Sequence, residues 1–347
     1  MVLKKISFLH FRNFGEATFY FNPFLTIIIC PNSVGKTNLL EGVYFLCHGS
    51  GFRERSQEEL INSMMDKCTV EAIFGDGKSN LDLRILLDKT IQFSKVYFVN
   101  RIKKRFLDYS TLSPFVAIFS PNFIYVIDGQ PSDRRDFFDR IIGSVDIEYK
   151  KRLANYENCL KKRNKLLEVE KNIDKLKEEL VFWDNYLIDH ASYIVKKRWE
   201  FVNFLKNNKK LDSKTFSLDY QPNEISPHRF AETFEKQLYT RKTLVGPQRD
   251  IYEIYIGEEE NKKNVHKFGS RSEQRLSLFW ILLNEIKLIQ EVTKQRPILL
   301  LDDIFSELDS INKALILKLI KNYQTIITTI DPNVIDLIDT PHTIIEL

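Results

Sequence analysis

Cysteine is sparse in this 347-residue chain: Cys30, Cys47, Cys68 and Cys159 are scattered, with no C-x-x-C and no paired spacing. Neither a disulfide framework nor a zinc site is suggested, and a reducing, cytoplasmic setting fits best. The six histidines are equally dispersed. No apolar run approaches the ~18 residues that span a bilayer, so no membrane partner is expected. Lys4 and Lys5 sit inside an amphipathic strand pattern, unlike a signal peptide. There is no internal repeat, no low-complexity segment, and no nuclease or nucleophile constellation. Proline is missing for about seventy residues after Pro131, and glycine is rare there, which marks a helical region. Strong net charge is also absent: +4 is too little to argue for nucleic acid by itself.

The length allows two or three domains, and 43% hydrophobic with 28% charged residues describes a globular, soluble chain. Positive charge is concentrated locally. Lys150 to Lys171 holds eight basic and three acidic residues, Lys196 to Lys214 seven and two, and Arg101, Lys103, Lys104 and Arg105 form a tight third group. Such clusters attract phosphate backbones, or simply solvate helix faces and a loop tip.

Alternating patterns predict strands at Val2 to Leu9 and Thr18 to Phe21, with a turn at His10 to Phe14 between them. Thr69 to Phe74, Leu81 to Leu87 and Ile91 to Val99 read as an antiparallel meander, the first pair joined at Asp76-Gly77-Lys78. Ser132 with Asp133 predicts a helix N-cap. Leu166, Val169, Ile173, Leu176, Leu180, Trp183 and Leu187 then make three heptads, ~33 Å of helix for a short coiled arm or a helical hairpin. Pro227 to Thr240 reads as helical, and strands are expected at Ile251 to Ile256 and Val265 to Phe268. A helix follows from Glu273 to about Ile289, then strands at Pro297 to Asp303, Thr325 to Thr329 and His342 to Leu347. Strands alternating with helices at this end indicate a parallel α/β sheet.

The stretch from Leu25 to Leu40 organises the chain. Leu25 to Ile29 is a buried-strand pattern; a turn, Gly35-Lys36-Thr37 and a helix to about Cys47 follow. That is the layout of a phosphate-binding loop, in which backbone N–H groups wrap a polyphosphate, a lysine reaches its β/γ end and a hydroxyl ligates Mg²⁺. Asn32, Ser33, Val34, Gly35, Lys36, Thr37 and Asn38 are the candidate binding residues. The strict pattern has glycine where this chain has Cys30.

Pro297 to Asp303 carries two carboxylates to the carboxyl edge of a sheet, where ligands bind in open α/β folds. Asp302 can hold Mg²⁺ opposite Thr37, and Asp303 can orient or deprotonate an attacking water. A helix N-cap is the alternative use of such a pair. Ser306-Glu307-Leu308-Asp309 follows, and Ser270 to Arg275 opens a helix 32 residues upstream of Asp302, a natural γ-phosphate site. The order and spacing are those of an ABC-type ATPase head.

Phe11-Arg12-Asn13-Phe14; Asn32 to Glu41; Phe119-Ser120-Pro121; Gly129 to Arg140; Tyr156 with Arg163 to Leu167; Thr243 to Asp250; and Leu299 to Asp309 form a set. Together these stretches resemble the RecF family of DNA recombination and replication repair ATPases, relatives of SMC proteins. The resemblance implies ATP-dependent homodimerisation, binding of single-strand/double-strand junction DNA, and work with a RecR-like partner in loading recombinase. It further implies that Lys36 and Thr37 bind phosphate and Mg²⁺, that Asp302 holds the metal and Asp303 the water. Ser270 would act in trans with support from Arg275, Asp309 would lie at the dimer interface, and Arg12 would contact the nucleotide.

This chain departs from the family pattern where Cys30 and Ser33 replace glycines and where Ser272-Glu273 replaces the Gly-Gln of the signature. Nucleotide binding is expected to survive, with dimerisation and turnover weakened by a side chain and a carboxylate near the γ-phosphate. The expected architecture is an α/β ABC/SMC-type P-loop NTPase head with an antiparallel β subdomain, built from residues 1–143 and 243–347. A helical arm at 144–242 is inserted into it. A degenerate ATP-binding clamp or adaptor is the alternative, as is an ABC head driving an unrelated protein partner.

Overall fold

Five segments pair in parallel in the order His342–Glu346, Leu25–Ile29, Thr325–Thr329, Ile298–Asp302, Val116–Phe119. Three of them are buried at every residue, the unbroken apolar reading of parallel strands covered on both faces. The register sets Ile29 beside Thr329, Asp302 beside Thr328 and Leu301 beside Phe119, so these strands end together at one edge. The computed structural model describes residues 1–31, 34–54, 56–211, 213–307 and 310–347. This sheet belongs to the first of two units, Met1–Phe123 with Ile281–Leu347; the second is Ile124–Trp280.

The first unit also holds a six-stranded antiparallel sheet, ordered Phe14–Tyr20, Val2–Phe11, Lys67–Gly75, Asn80–Asp88, Ser94–Val99, Ile102–Lys104. Its central strands alternate buried and half-buried residues, as a sheet with one packed face requires. The second strand starts at Phe14, four residues before the expected Thr18, because Phe11 and Phe14 pair directly across an Arg12-Asn13 turn. Gln324 joins the two sheets. Its side chain accepts from Leu3 N–H at 2.7 Å and donates to Leu3 O at 2.7 Å and Asn22 O at 3.0 Å.

The helix Lys36–His48 is buried along most of its length. At Gly42 a Cβ would overlap the Phe8 ring, so glycine is what lets the Phe8 and Phe11 rings close on this helix. Gly49 ends the helix in the left-handed region at φ 75°, its N–H bonding Phe45 O at 2.7 Å.

In the second unit the heptad stripe is not one helix. Ile147–Val169 ends at Glu170, and Ile173–Asn207 starts after Asn172, whose side chain accepts from Asp174 and Lys175 N–H at 3.0 and 3.2 Å. The outcome is the helical hairpin, with Leu167, Leu176 and Leu180 clustering inside it. The preceding helix is Pro131–Val145, with proline at its first position and Asp133 accepting the Gln130 N–H at 2.7 Å, so the cap is Gln130 and not Ser132. A four-stranded antiparallel sheet runs Lys263–Asn264, Ile251–Ile256, Lys214–Gln221, Lys210–Leu211. Val265–Phe268 is a helical turn capped by Asn264, where a strand was expected. Pro227 to Thr240 is two helices, Pro227–Glu232 and Phe234–Thr240. Among the described residues no helix is long and apolar enough to cross a membrane.

Candidate nucleotide-binding site

At the carboxyl edge of the parallel sheet the Leu25–Ile29 strand leads through Cys30 and Pro31 to Gly35, whose φ of 129° is open to glycine and strained for other residues. Lys36 is 8% exposed and folds its ammonium back onto the carbonyls of Cys30 and Pro31, the latter at 2.9 Å. A lysine held on its own loop carbonyls can exchange them for phosphate oxygens without a search through solvent. The first turn of the Lys36–His48 helix carries no acid, so its N–H groups and dipole favour an anion. Asn32 and Ser33 lie outside the described residues, as do Leu308 and Asp309. Burial raises the Cys30 thiol pKa, opposed by Lys36, and keeps the thiol neutral.

Thr37 Oγ1 donates to Asp302, 3.1 Å from each carboxylate oxygen. Asp302 also accepts from Thr328 Oγ1 at 2.7 Å and Ser120 Oγ at 3.2 Å, and is only 4% exposed. Burial pushes its pKa up, against the three hydroxyl donors and the field of Arg53. No cation pairs with this carboxylate among the described residues. The adjacent hydroxyl and carboxylate form an oxygen-only donor set, which fits a hard divalent cation; Thr37 and Asp302 are the residues that would hold Mg²⁺. Asp303 turns the chain out of the strand at φ 44°, its N–H donating to Thr328 O at 3.1 Å and Thr328 Oγ1 at 3.0 Å.

A polar chain that sequence reasoning missed supports the loop. Asn13 Nδ2 donates to Val34 O at 2.8 Å, Asn38 Nδ2 donates to Asn13 Oδ1 at 2.6 Å, and Arg53 donates to Asn38 Oδ1 at 2.6 Å. Arg53 and Arg12 converge on Glu41, which is fully buried. Arg12 binds both of its oxygens at 2.9 and 3.1 Å, and Arg53 binds Oε2 at 2.8 Å. Arg12, expected at the nucleotide, therefore commits its guanidinium to Glu41 and to Glu59 O at 2.9 Å.

In the second unit Ser270, Glu273 and Arg275 stand at the start of Arg271–Thr293. Glu273 accepts from Ser270 N–H at 2.8 Å and Ser270 Oγ at 3.0 Å, while Ser270 Oγ accepts the Glu273 N–H at 3.3 Å. This is a reciprocal capping box. Lys263 pairs with Glu273 at 2.7 Å. Partial burial opposes ionisation, but Lys263 and the Ser270 donors prevail and bring the Glu273 pKa down to about 2. The carboxylate that replaces the signature's glutamine thus folds onto its own helix terminus and occupies the Ser270 hydroxyl.

A family model described as RecF/RecN/SMC N terminal domain matches residues 2–346. DNA replication and repair protein RecF of Streptococcus agalactiae is 33% identical over 351 residues, covering 95% of this chain and 91% of that protein. The chain belongs to the RecF family. The RecF of Streptococcus thermophilus is 32% identical over 349 residues, covering 95% and 92%. A solved structure of the recombination mediator protein RecF-ATPrS in the RecFOR pathway superposes with a TM-score of 0.87 at 26% identity, covering 99% of this chain and 95% of that one. The Smc head domain of Pyrococcus furiosus with an extended coiled coil shares the fold, at TM-score 0.53 and 16% identity over 99% and 93% of the two chains. The fold is therefore the ABC/SMC-type P-loop ATPase head.

Several RecF-like segments outside the loop meet in a buried network of the second unit. Arg198, 2% exposed, grips Asp139 with two bonds at 3.0 and 2.6 Å and Asp250 with one at 2.6 Å, while Tyr149 and Tyr220 donate to those carboxylates. Arg163, also buried, binds Asp184 at 2.6 Å, Gln237 at 2.7 Å and Thr243 at 2.9 Å. Asp139, Arg163 and Asp250 are thus structural. Each buried charge is paired and hydrogen-bonded, as burial demands.

Proposed function

We propose that this chain is an ATP- and Mg²⁺-binding RecF-type protein of recombinational repair and replication. In this reading it dimerises on ATP and binds gapped or single-strand/double-strand junction DNA, acting with a RecR-like partner to load recombinase. The observation that carries it is the contact of Thr37 with Asp302 at the sheet edge, on the same loop as the withdrawn Lys36. The solved relatives support it, being described as RecF-ATP and RecF-ATPrS in the RecFOR pathway. Lys36 binds the β/γ-phosphates, and Thr37 and Asp302 hold Mg²⁺, which when bound neutralises phosphate charge. Asp303 orients water, Ser270 with Arg275 engages the γ-phosphate of a second copy, and Asp309 lies where the copies meet. The functional head comprises residues 1–143 and 243–347, with the arm at 144–242.

Filter binding of gapped DNA with ATP and Mg²⁺, at low and high salt, tests this reading. ATP-dependent retention at low salt that fades at high salt supports it; no retention at low salt sinks it. A second reading, an ATP-binding clamp with little hydrolysis, is favoured by the Glu273 carboxylate on Ser270. Phosphate release from the wild type beside Asp303→Asn separates the two: a clamp shows no difference.

A further inference from the structure

The basic segments of this chain are not equivalent once their partners are known. In the helical hairpin Arg152, Arg163, Lys165, Lys197 and Arg198 all pair with acids, at distances from 2.6 to 3.3 Å. Those five charges are spent within the fold, whereas Lys161, Lys171 and Lys196 of the same hairpin are exposed and form no ion pair among the described residues. At the edge of the six-stranded sheet a tighter group is left unpaired. Ser94–Val99 and Ile102–Lys104 form a hairpin whose two-residue turn is Asn100-Arg101. From Ser94 to Asp108 five basic residues face a single acid. Among the described residues, the side chains of Arg101, Lys103, Lys104 and Arg105 have no ion pair and no hydrogen bond.

Charge on an edge strand has an ordinary use, which is to block edge-to-edge pairing. That use accounts for Lys103 and Lys104. It does not account for Arg101, which lies in the turn at φ 68° after Asn100 at φ 49°. A turn with two positive φ values favours Asn-Gly, and here an arginine stands where glycine is the unstrained choice. Nor does it account for Arg105, beyond the pairing, or for Ile102, 62% exposed between the cations. The turn is also anchored at its first residue: Asn100 N–H donates to Asp82 O at 2.8 Å and its side-chain oxygen accepts the Asp82 N–H at 2.9 Å. A strained residue held in place by its surroundings is a mark of function.

We propose that the Asn100–Arg105 hairpin tip is a contact for the phosphate backbone of duplex DNA. The four unpaired cations fall within five consecutive residues, at most ~13 Å of chain, a length over which each strand of a duplex presents about four phosphates. Lysine and arginine side chains on a hairpin tip can reach phosphate oxygens, contacts that position a protein on a duplex without reading its sequence. The proposal rests on the DNA-binding function above and names the element of the head that serves it.

The test uses the full-length protein with ATP and Mg²⁺ and a fluorescein-labelled gapped duplex, read by anisotropy from about 50 to about 200 mM salt. Arg101→Ser with Lys103→Ser and Arg105→Ser removes three contacts. The slope of log K against log salt then becomes shallower by about 2.7, whatever the duplex sequence. The swap Arg101→Lys, Lys103→Arg, Arg105→Lys keeps the slope. Arg101→Gly alone relieves the turn and therefore folds, and makes the slope shallower by about 0.9. Wild-type slope and affinity in Arg101→Gly and in the triple serine variant overturn the hairpin contact and leave the DNA-binding reading intact. A wild-type protein that retains no DNA overturns that reading and this contact with it.

Discussion

Glu41→Gln keeps the size of the side chain and one acceptor oxygen, and removes the charge that Arg12 and Arg53 share. The carboxylate is 0% exposed, whereas the arginines are 18% and 27% exposed. Removing one partner of a buried pair costs ~3–5 kcal/mol. Both guanidiniums keep a route to water and Arg12 keeps its bond to Glu59 O, which places the effect at the low end, ~3 kcal/mol. With each 1.4 kcal/mol worth tenfold, the Lys36–His48 helix then opens roughly a hundredfold more often. All three tryptophans, Trp183, Trp199 and Trp280, lie in the second unit, so fluorescence does not report this opening. Amide hydrogen exchange read by mass spectrometry does. Peptides from Lys36–His48 are expected to exchange roughly a hundredfold faster, with those from Ile173–Asn207 unchanged. Unchanged exchange in the loop helix, or equal acceleration in both units, refutes the argument that Glu41 is the brace of the nucleotide loop.

Three further outcomes follow from the same geometry. The Asp302 pKa is raised by burial, so the native state holds its proton more tightly than the unfolded chain; stability falls as pH rises from the ordinary aspartate value through the raised one. Asp302→Asn is therefore expected to melt higher than the wild type at neutral pH without nucleotide, to lose that advantage in acid, and to show no stabilisation by Mg²⁺ with ATP. The Glu273 pKa is depressed to about 2, so its stabilisation is present above the unfolded value of ~4.3 and is lost as pH falls. Lys263→Ala narrows that window, and Glu273→Gln, which weakens the hold on Ser270, raises phosphate release; unchanged turnover contradicts an occupied signature serine. Arg198→Ala strands Asp139 and Asp250 without their cation, and thermal melting followed by tryptophan fluorescence is expected to show a loss of ~3–5 kcal/mol in the second unit.

The nucleotide loop was legible because its chemistry is local: one strand, one tight turn, one helix start. Asp302 was legible because a buried parallel strand reads as an unbroken apolar run, and a carboxylate at its end stands out. Glu41 was not. It sits on the inner face of a helix, and only the fold brings Arg12 and Arg53 to it from other segments. The heptad stripe left a coiled arm and a helical hairpin open, since apolar spacing continues from Val169 to Ile173 across a turn; Asn172 with Asp174 was the signal that marked the break and decided for the hairpin. Val265 to Phe268 is too short for periodicity to distinguish strand from helix, and the Asn264 cap decided it. Charge counting placed the arm and the hairpin tip together, and only the ion pairs show that Arg152, Arg163, Lys165, Lys197 and Arg198 are held by acids.

The proposed function requires that ATP close two copies of this chain over the Lys36 loop. Size-exclusion chromatography with light scattering, run with and without ATP and Mg²⁺ beside Lys36→Ala, tests it most directly. The mass is predicted to move from that of the 41.0 kDa chain to twice that value with nucleotide, and to stay single in Lys36→Ala. A wild-type mass that does not respond to ATP contradicts the claim.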